Sequence, residues 1–270
     1  LVNYKSMSSF NQRLKKRMAE TKSWLCVGLD VSPERFPENT SFAQVQAHAE
    51  KIVEATSDLA VAYKPNFAFF ERWGAEGMVW LKTLIDFIPD GPLVIADAKR
   101  GDIGSTAEQY AESIFSHYGF DAVTLSPYMG RDSIDPFIQS PEKGVFILCR
   151  TSNPSAKDFQ NIKSNGKPLF IAVAEWAKTL NENDNVGLVV GATAIEELKQ
   201  IRKITSGLPF LIPGIGAQGG DLKSSLRFGN DKGIGLINVS RSINFAGDLS
   251  VDAIRNSAKN YVKQMQEIMI

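Results

Sequence analysis

Short apolar runs recur along the chain, separated by longer stretches with helical spacing. The runs at residues 24–30, 60–66, 93–99, 122–127, 144–150, 186–192, 210–216 and 236–241 read as strands. Between them, stretches such as 105–117, 169–180 and 193–203 read as helices. Eight such βα units predict parallel strands with helices outside. A doubly wound open sheet is the rival arrangement. The third run helps decide between them. There Val94, Ala96 and Ala98 alternate with Leu93, Ile95, Asp97 and Lys99, so one face is apolar and the other ends in two charges. Charges at the C-terminal end of a buried strand need a purpose, and in a barrel that end is where sites are built. No low-complexity linker or short repeat divides the chain. The expectation is a single-domain α/β protein, a (β/α)8 TIM barrel over residues 1–270, with a short N-terminal helical extension in the amphipathic segment 1–20.

The length of 270 residues and the hydrophobic content of 43% suit one barrel with a large core. Thirty basic residues balance thirty acidic ones, so net charge gives no argument for nucleic acid or an anionic membrane. There is no long uncharged apolar run and no signal-like apolar block near the start. The chain does not start with Met, so residues 1–6 are native or an addition without the sequence deciding which. Cys26 and Cys149 have no motif spacing, which suggests buried thiols in a reducing cytoplasm.

The strongest chemical signal is Ala96-Asp97-Ala98-Lys99-Arg100-Gly101-Asp102-Ile103-Gly104-Ser105-Thr106. Asp97 and Lys99 lie two apart and share a strand face, and Asp102 follows in the loop. An ion-pair network closing the barrel would explain a lone Asp-x-Lys. The neighbouring runs, however, end in Gly28-Leu29-Asp30 and Tyr63-Lys64-Pro65-Asn66. Three adjacent strands thus deliver Asp30, Lys64, Asp97 and Lys99 to one rim, which scaffolding alone explains poorly.

A second signal is Pro213-Gly214-Ile215-Gly216-Ala217-Gln218-Gly219-Gly220 after the seventh run, with Asn238-Val239-Ser240-Arg241-Ser242 after the eighth. Glycines let backbone N–H groups approach an anion, and barrels often bind phosphate with these two loops. Arg241 would add charge-assisted hydrogen bonds. Ser152, in Arg150-Thr151-Ser152-Asn153-Pro154, fits a ligand contact and an ordinary turn equally well. Asn66 and Glu71 are open in the same way. Phe67, Phe69, Phe70 and Trp73 read as packing. His48 and His117 read as surface or partly buried helix residues. No His/Cys cluster has zinc spacing, so no metal site is expected.

Together these segments resemble the orotidine 5′-monophosphate decarboxylases, above all their longer bacterial subgroup. The resemblance rests on Asp97-Ala98-Lys99-Arg100-Gly101-Asp102-Ile103-Gly104-Ser105-Thr106, on Gly28-Leu29-Asp30, Tyr63-Lys64-Pro65-Asn66 and Thr151-Ser152-Asn153-Pro154, and on the two phosphate-loop segments, all in the family's order. It implies a cofactor-free lyase of pyrimidine biosynthesis and a cytoplasmic homodimer with shared active sites. By that resemblance Lys99, Asp97, Asp102 and Lys64 form the catalytic set, with Lys99 as proton donor and Asp97 facing the substrate carboxylate. Asp30 and Lys64 would bind ribose hydroxyls and Ser152 the pyrimidine. Pro213, Gln218, Gly219 and Arg241 would grip the phosphate, with Ser240 beside them where many relatives carry glycine. Asp102, Ile103 and Thr106 would reach the partner's site. The length implies no second, phosphoribosyltransferase domain. A metal-dependent sugar-phosphate decarboxylase or aldolase on the same barrel is the enzyme alternative. A nucleotide-binding barrel without activity is the other; an intact Asp97, Lys99 and Asp102 speaks against it.

Overall fold

The computed structural model describes residues 8–216 and 219–270. Eight parallel strands close into a barrel in sequential order: β1 (Leu25–Gly28), β2 (Ala62–Lys64), β3 (Leu93–Arg100), β4 (Ala122–Leu125), β5 (Gly144–Arg150), β6 (Val186–Val190), β7 (Pro209–Ile212) and β8 (Ile234–Val239). Closure runs through β1 and β8, where Leu25 faces Ile237 and Cys26 faces Asn238. The expected barrel is present. Several strands end earlier than their apolar runs, because the chain splays at the mouth. There it keeps single links, such as Leu29 N to Lys64 O at 3.1 Å, rather than a ladder.

Strand alternation sorts the core into two shells. Cys26, Ala62, Leu93, Ile95, Phe146 and Leu236 point into the barrel. Val27, Tyr63, Val94, Ala96, Val145 and Val239 point out against the helices. The period-two reading of β3 therefore holds for its first four residues. Ala60 does not follow the phase of Ala62; it packs in the outer shell while Val61 faces inward.

A helix over Phe10–Thr21 plugs the N-terminal end of the barrel. Ser9 and Gln12 cap its start reciprocally, and Lys22 ends it in the left-handed conformation. Phe10 packs edge-on to Phe146, with ring centres 5.9 Å apart. Gly144 makes room: a Cβ there would sit 2.3 Å from the Phe10 ring. With this end sealed, the open end is the C-terminal one. Two other features lay outside the sequence reading. Asn165-Gly166, both at positive φ, turn a short hairpin pairing Lys163–Ser164 with Lys167–Pro168. A 19-residue helix, Val251–Met269, packs against the helix Phe42–Thr56.

Candidate active site

The C-terminal mouth holds a chain of ion pairs. Lys64 Nζ lies 2.5 Å from Asp97 Oδ2, and Lys99 Nζ pairs with Asp97 Oδ1. The Thr124 hydroxyl donates to Asp97 Oδ1 at 3.2 Å and accepts from Lys99 N at 3.0 Å. One carboxylate thus holds two lysines, and β4 braces it. Burial pushes the Lys64 ammonium pKa down, but the carboxylates of Asp97 and Asp30 outweigh this and raise it. Burial pushes the Asp97 carboxyl up, and Lys64 and then Lys99 outweigh this and hold it well below the usual carboxylate range. Both groups are therefore ionised, and Lys99 is the member of the chain left half exposed, at 50% of its side chain.

Lys99 reaches Asp97 by a route that simple alternation omits. Strand pairing with β4 shifts between Ala96 and Arg100, and Lys99 takes a φ of 49°. For a side chain this left-handed backbone is strained, and it re-aims the lysine at the mouth of the barrel.

The cavity beside this cluster measures about 380 Å3. Asp30, Lys64, Asn66 and Asp97 line one side, and Pro213, Gly214, Ser240 and Arg241 the other. The ends of β1, β2 and β3 and the loops after β7 and β8 meet here. Asp30 Oδ1 and Asn238 Oδ1 are buried without a hydrogen-bond partner among the described residues. Such acceptors suit a ligand's hydroxyl groups. Gly28 explains part of the shape. A Cβ there would lie 2.9 Å from Ser240 Cβ and 3.3 Å from Asp30 Oδ2.

The loop after β7 folds back on itself. Gly220 N donates to Gly214 O at 3.0 Å and Gly219 N to Gly216 O at 2.9 Å. Gly214, Gly216 and Gly219 all have positive φ, which this turn requires. Gln218 lies outside the described residues. Ser240 precedes the one-turn helix Arg241–Asn244 and receives Asn244 Nδ2 at 3.4 Å. The Arg241 side chain is exposed and has no ion-pair or hydrogen-bond partner among the described residues.

Other expected residues sit elsewhere. Asp102 does not join the Lys64–Asp97–Lys99 chain among the described residues; its carboxylate caps Ile103 N at 2.8 Å. The reason is local: Asp102 lies past the end of β3, at the entry to the helix Gly104–Glu112. Ile103 and Thr106 are exposed, and Ile103 lines a different groove of about 820 Å3 with Glu108, Phe115 and Lys143. None of Lys64, Asp97 and Lys99 lines that larger groove. Ser152 lies at the rim, where its carbonyl accepts from Thr193 Oγ1 at 3.2 Å. Gly191 admits it closely, since a Cβ there would come within 2.8 Å of Ser152 N.

Glu71 pairs with Arg100 on the rim at 3.3 Å. Asn66 caps Ala68 N at 3.2 Å and also lines the cavity. Phe67, Phe70 and Trp73 pack as expected, on Phe120, Trp80 and Phe42 respectively. Phe69 packs against the same core and also lines the cavity. His48 is not a surface residue: it is buried, with Nε2 2.6 Å from Asn244 O. Sequence reasoning missed Thr124 and Asn238. Both were legible as polar residues in phase with inward-facing Ala122 and Leu236.

With this geometry in place, the relatives are informative. The family model described as orotidine 5′-phosphate decarboxylase / HUMPS family matches residues 23–255. The chain belongs to this family. It is 46% identical over 265 residues to the orotidine 5′-phosphate decarboxylase of Herpetosiphon aurantiacus, covering 96% of this chain and 98% of that one. The structure of Leishmania donovani OMP decarboxylase superposes with a TM-score of 0.85 at 42% identity, covering 96% and 98% of the two chains. A putative orotidine-monophosphate decarboxylase from Toxoplasma gondii gives a TM-score of 0.90 at 37% identity, covering 97% of each. The chain also matches Leishmania donovani UMP synthase at a TM-score of 0.87 and 43% identity, spanning 57% of that longer protein.

Proposed function

We infer that this protein decarboxylates orotidine 5′-monophosphate to uridine 5′-monophosphate, a carboxy-lyase step of pyrimidine biosynthesis. The observation that carries the reading is Asp97, buried at the barrel mouth and shared between Lys64 and Lys99. Loss of carbon dioxide breaks a C–C bond and leaves the electron pair on a ring carbon. A lysine ammonium beside that carbon stabilises the developing charge and then donates a proton to it. Lys99 is suited to this by its exposure, and Lys64 is suited to hold Asp97 and a ribose hydroxyl. Asp97 would face the departing carboxylate. Asp30, with its buried unpartnered oxygen, would accept from ribose.

The phosphate would sit at the opposite wall. Arg241, the backbone of Pro213 and Gly219, and Ser240 would hold it, with Gln218 from the same loop. Ser152 would reach the pyrimidine from the rim. Ile103 and Thr106 are exposed, Asp102 is half-buried, and none of the three lines the cavity, which suits delivery into a second subunit's site. We therefore read the working form as a homodimer with shared sites. All of residues 1–270 are read as one barrel domain, since Phe10–Thr21 plugs the barrel and Val251–Met269 packs beside it. Two free buried cysteines, Cys26 and Cys149, suit a cytoplasmic enzyme. Among the described residues no helix is long and apolar enough to cross a membrane.

The family description also covers HUMPS enzymes, so the test has two arms. Purified protein should remove the absorbance of orotidine 5′-monophosphate, and extensive EDTA treatment should leave the rate unchanged. Loss of activity on chelation, restored by magnesium, would favour a metal-dependent sugar-phosphate enzyme instead.

A further inference from the structure

Arg35 belongs to the loop after β1, beyond Asp30, and ends the short 3-10 turn Pro33–Arg35. It lines the same cavity as Arg241, and its guanidinium has no hydrogen-bond or ion-pair partner among the described residues. The nearest carboxylate in sequence, Glu34, is committed elsewhere. It pairs with Arg72 at 2.7 Å and accepts from Ser32. Those two donors hold its carboxyl down to about 2, so it stays ionised and bound to them. Arg35 is thus left unneutralised on the cavity side of its loop.

Packing ties this loop to the one carrying Arg241. Phe36, next to Arg35, meets Phe245 edge-on with ring centres 5.5 Å apart. Phe245 directly follows the helix Arg241–Asn244. His48 lies against both rings, 5.0 Å from Phe36 and 5.8 Å from Phe245, and is hydrogen-bonded to Asn244 O. Asn244 Nδ2 in turn donates to Gly28 O at 2.7 Å, at the end of β1. The loops after β1 and β8 are therefore fixed to each other, and each brings one unpaired arginine to the cavity.

The charges of the cavity then divide. On the strand side Lys64 and Lys99 pair with Asp97, and Asp30 supplies a second carboxylate near Lys64. On the loop side Arg35 and Arg241 are unmatched. A phosphate monoester carries about two negative charges near neutral pH. We propose that Arg35 is a second cation for the substrate's phosphate, acting with Arg241 to select the 5′-phosphorylated nucleotide over the nucleoside. This rests on the reading of Arg241 as the phosphate site.

The test compares kcat/KM for orotidine 5′-monophosphate and for orotidine, which lacks the phosphate, in wild type, Arg35→Ala, Arg35→Lys and Arg241→Ala. Arg35 is exposed, so its replacement should leave folding intact. Arg35→Ala should lower the value for the nucleotide by roughly tenfold to a hundredfold, the range for a hydrogen bond to a charged group. Its penalty on orotidine should be several times smaller, and Arg35→Lys should restore part of the loss. Equal penalties on both substrates, or none on the nucleotide, overturn the role of Arg35. In that case a nucleotide-selective loss in Arg241→Ala leaves the phosphate site standing. If Arg241→Ala penalises both substrates equally, the phosphate reading itself falls, and the inference about Arg35 with it.

Discussion

At the scale of single residues, Asp97 and Lys99 divide the labour of the mouth. Asp97 is 11% exposed and fixed by three donors, whereas Lys99 is half exposed and anchored at one. If Lys99 both stabilises and quenches the carbanion, its loss removes two effects of roughly 10²–10⁴-fold each. Lys99→Ala should therefore lower turnover by at least about 10⁴-fold while circular dichroism stays that of the wild type. A variant keeping a tenth of the activity would remove Lys99 from the role of proton donor. His48 has a separate signature. Burial lowers its pKa below the ordinary 6.5, against the opposing pull of its bond to Asn244. Its contribution is then fully present above pH 6.5. As pH falls below that value, the unfolded chain takes up a proton that the folded chain resists, and stability is lost down to the folded pKa. The melting temperature should fall between pH 7 and pH 5, and His48→Gln should flatten that slope. An unchanged slope would place the pH dependence elsewhere.

Elements set how closely these residues approach. The ends of β1 and β8 touch through Gly28 and Ser240, where there is space for one side chain and not two. Gly28→Ala should push Ser240 toward the cavity and raise KM for orotidine 5′-monophosphate. Removing the opposing side chain in Gly28→Ala/Ser240→Gly should recover most of the loss, because the clash is between two Cβ atoms. If the double variant is no better than the single one, crowding against Asp30, 3.3 Å from the same Cβ, is the cause instead. The distorted end of β3 is a second such device. Alternation already puts Asp97 and Lys99 on one face; the register shift and the positive φ of Lys99 set the angle at which the lysine leaves the strand.

For the molecule as a whole, the proposal that Asp102, Ile103 and Thr106 serve a partner's site makes a prediction about mixed dimers. Lys99→Ala and Asp102→Ala subunits should each be nearly inactive alone. In a mixed dimer one site would carry both defects and the other neither. Random exchange should therefore restore roughly a quarter of wild-type activity. No recovery, once subunit exchange is proven by mass spectrometry of tagged chains, would reject shared sites.

What the sequence determined by itself was everything carried by local order. Alternation assigned Leu93 and Ile95 to the barrel interior and Val94 and Ala96 to the helix layer, and the structure keeps them there. Eight apolar runs gave eight strands, and charges at their ends located the mouth, because period and chain order are properties of neighbouring residues. The tertiary structure alone decided which ends meet. Barrel closure brings Thr124 of β4 onto Asp97 of β3 and sets the loop of Arg35 against that of Arg241. It also keeps Asp102 out of the ion-pair chain although Lys99 precedes it by only three residues, since the chain turns toward a helix there. The helix Phe42–Thr56 seals His48 beneath two phenylalanines, although the sequence reads it as a surface or partly buried helix residue. Contacts of this kind join residues nearly two hundred positions apart, and their energy depends on register and packing that no local pattern encodes.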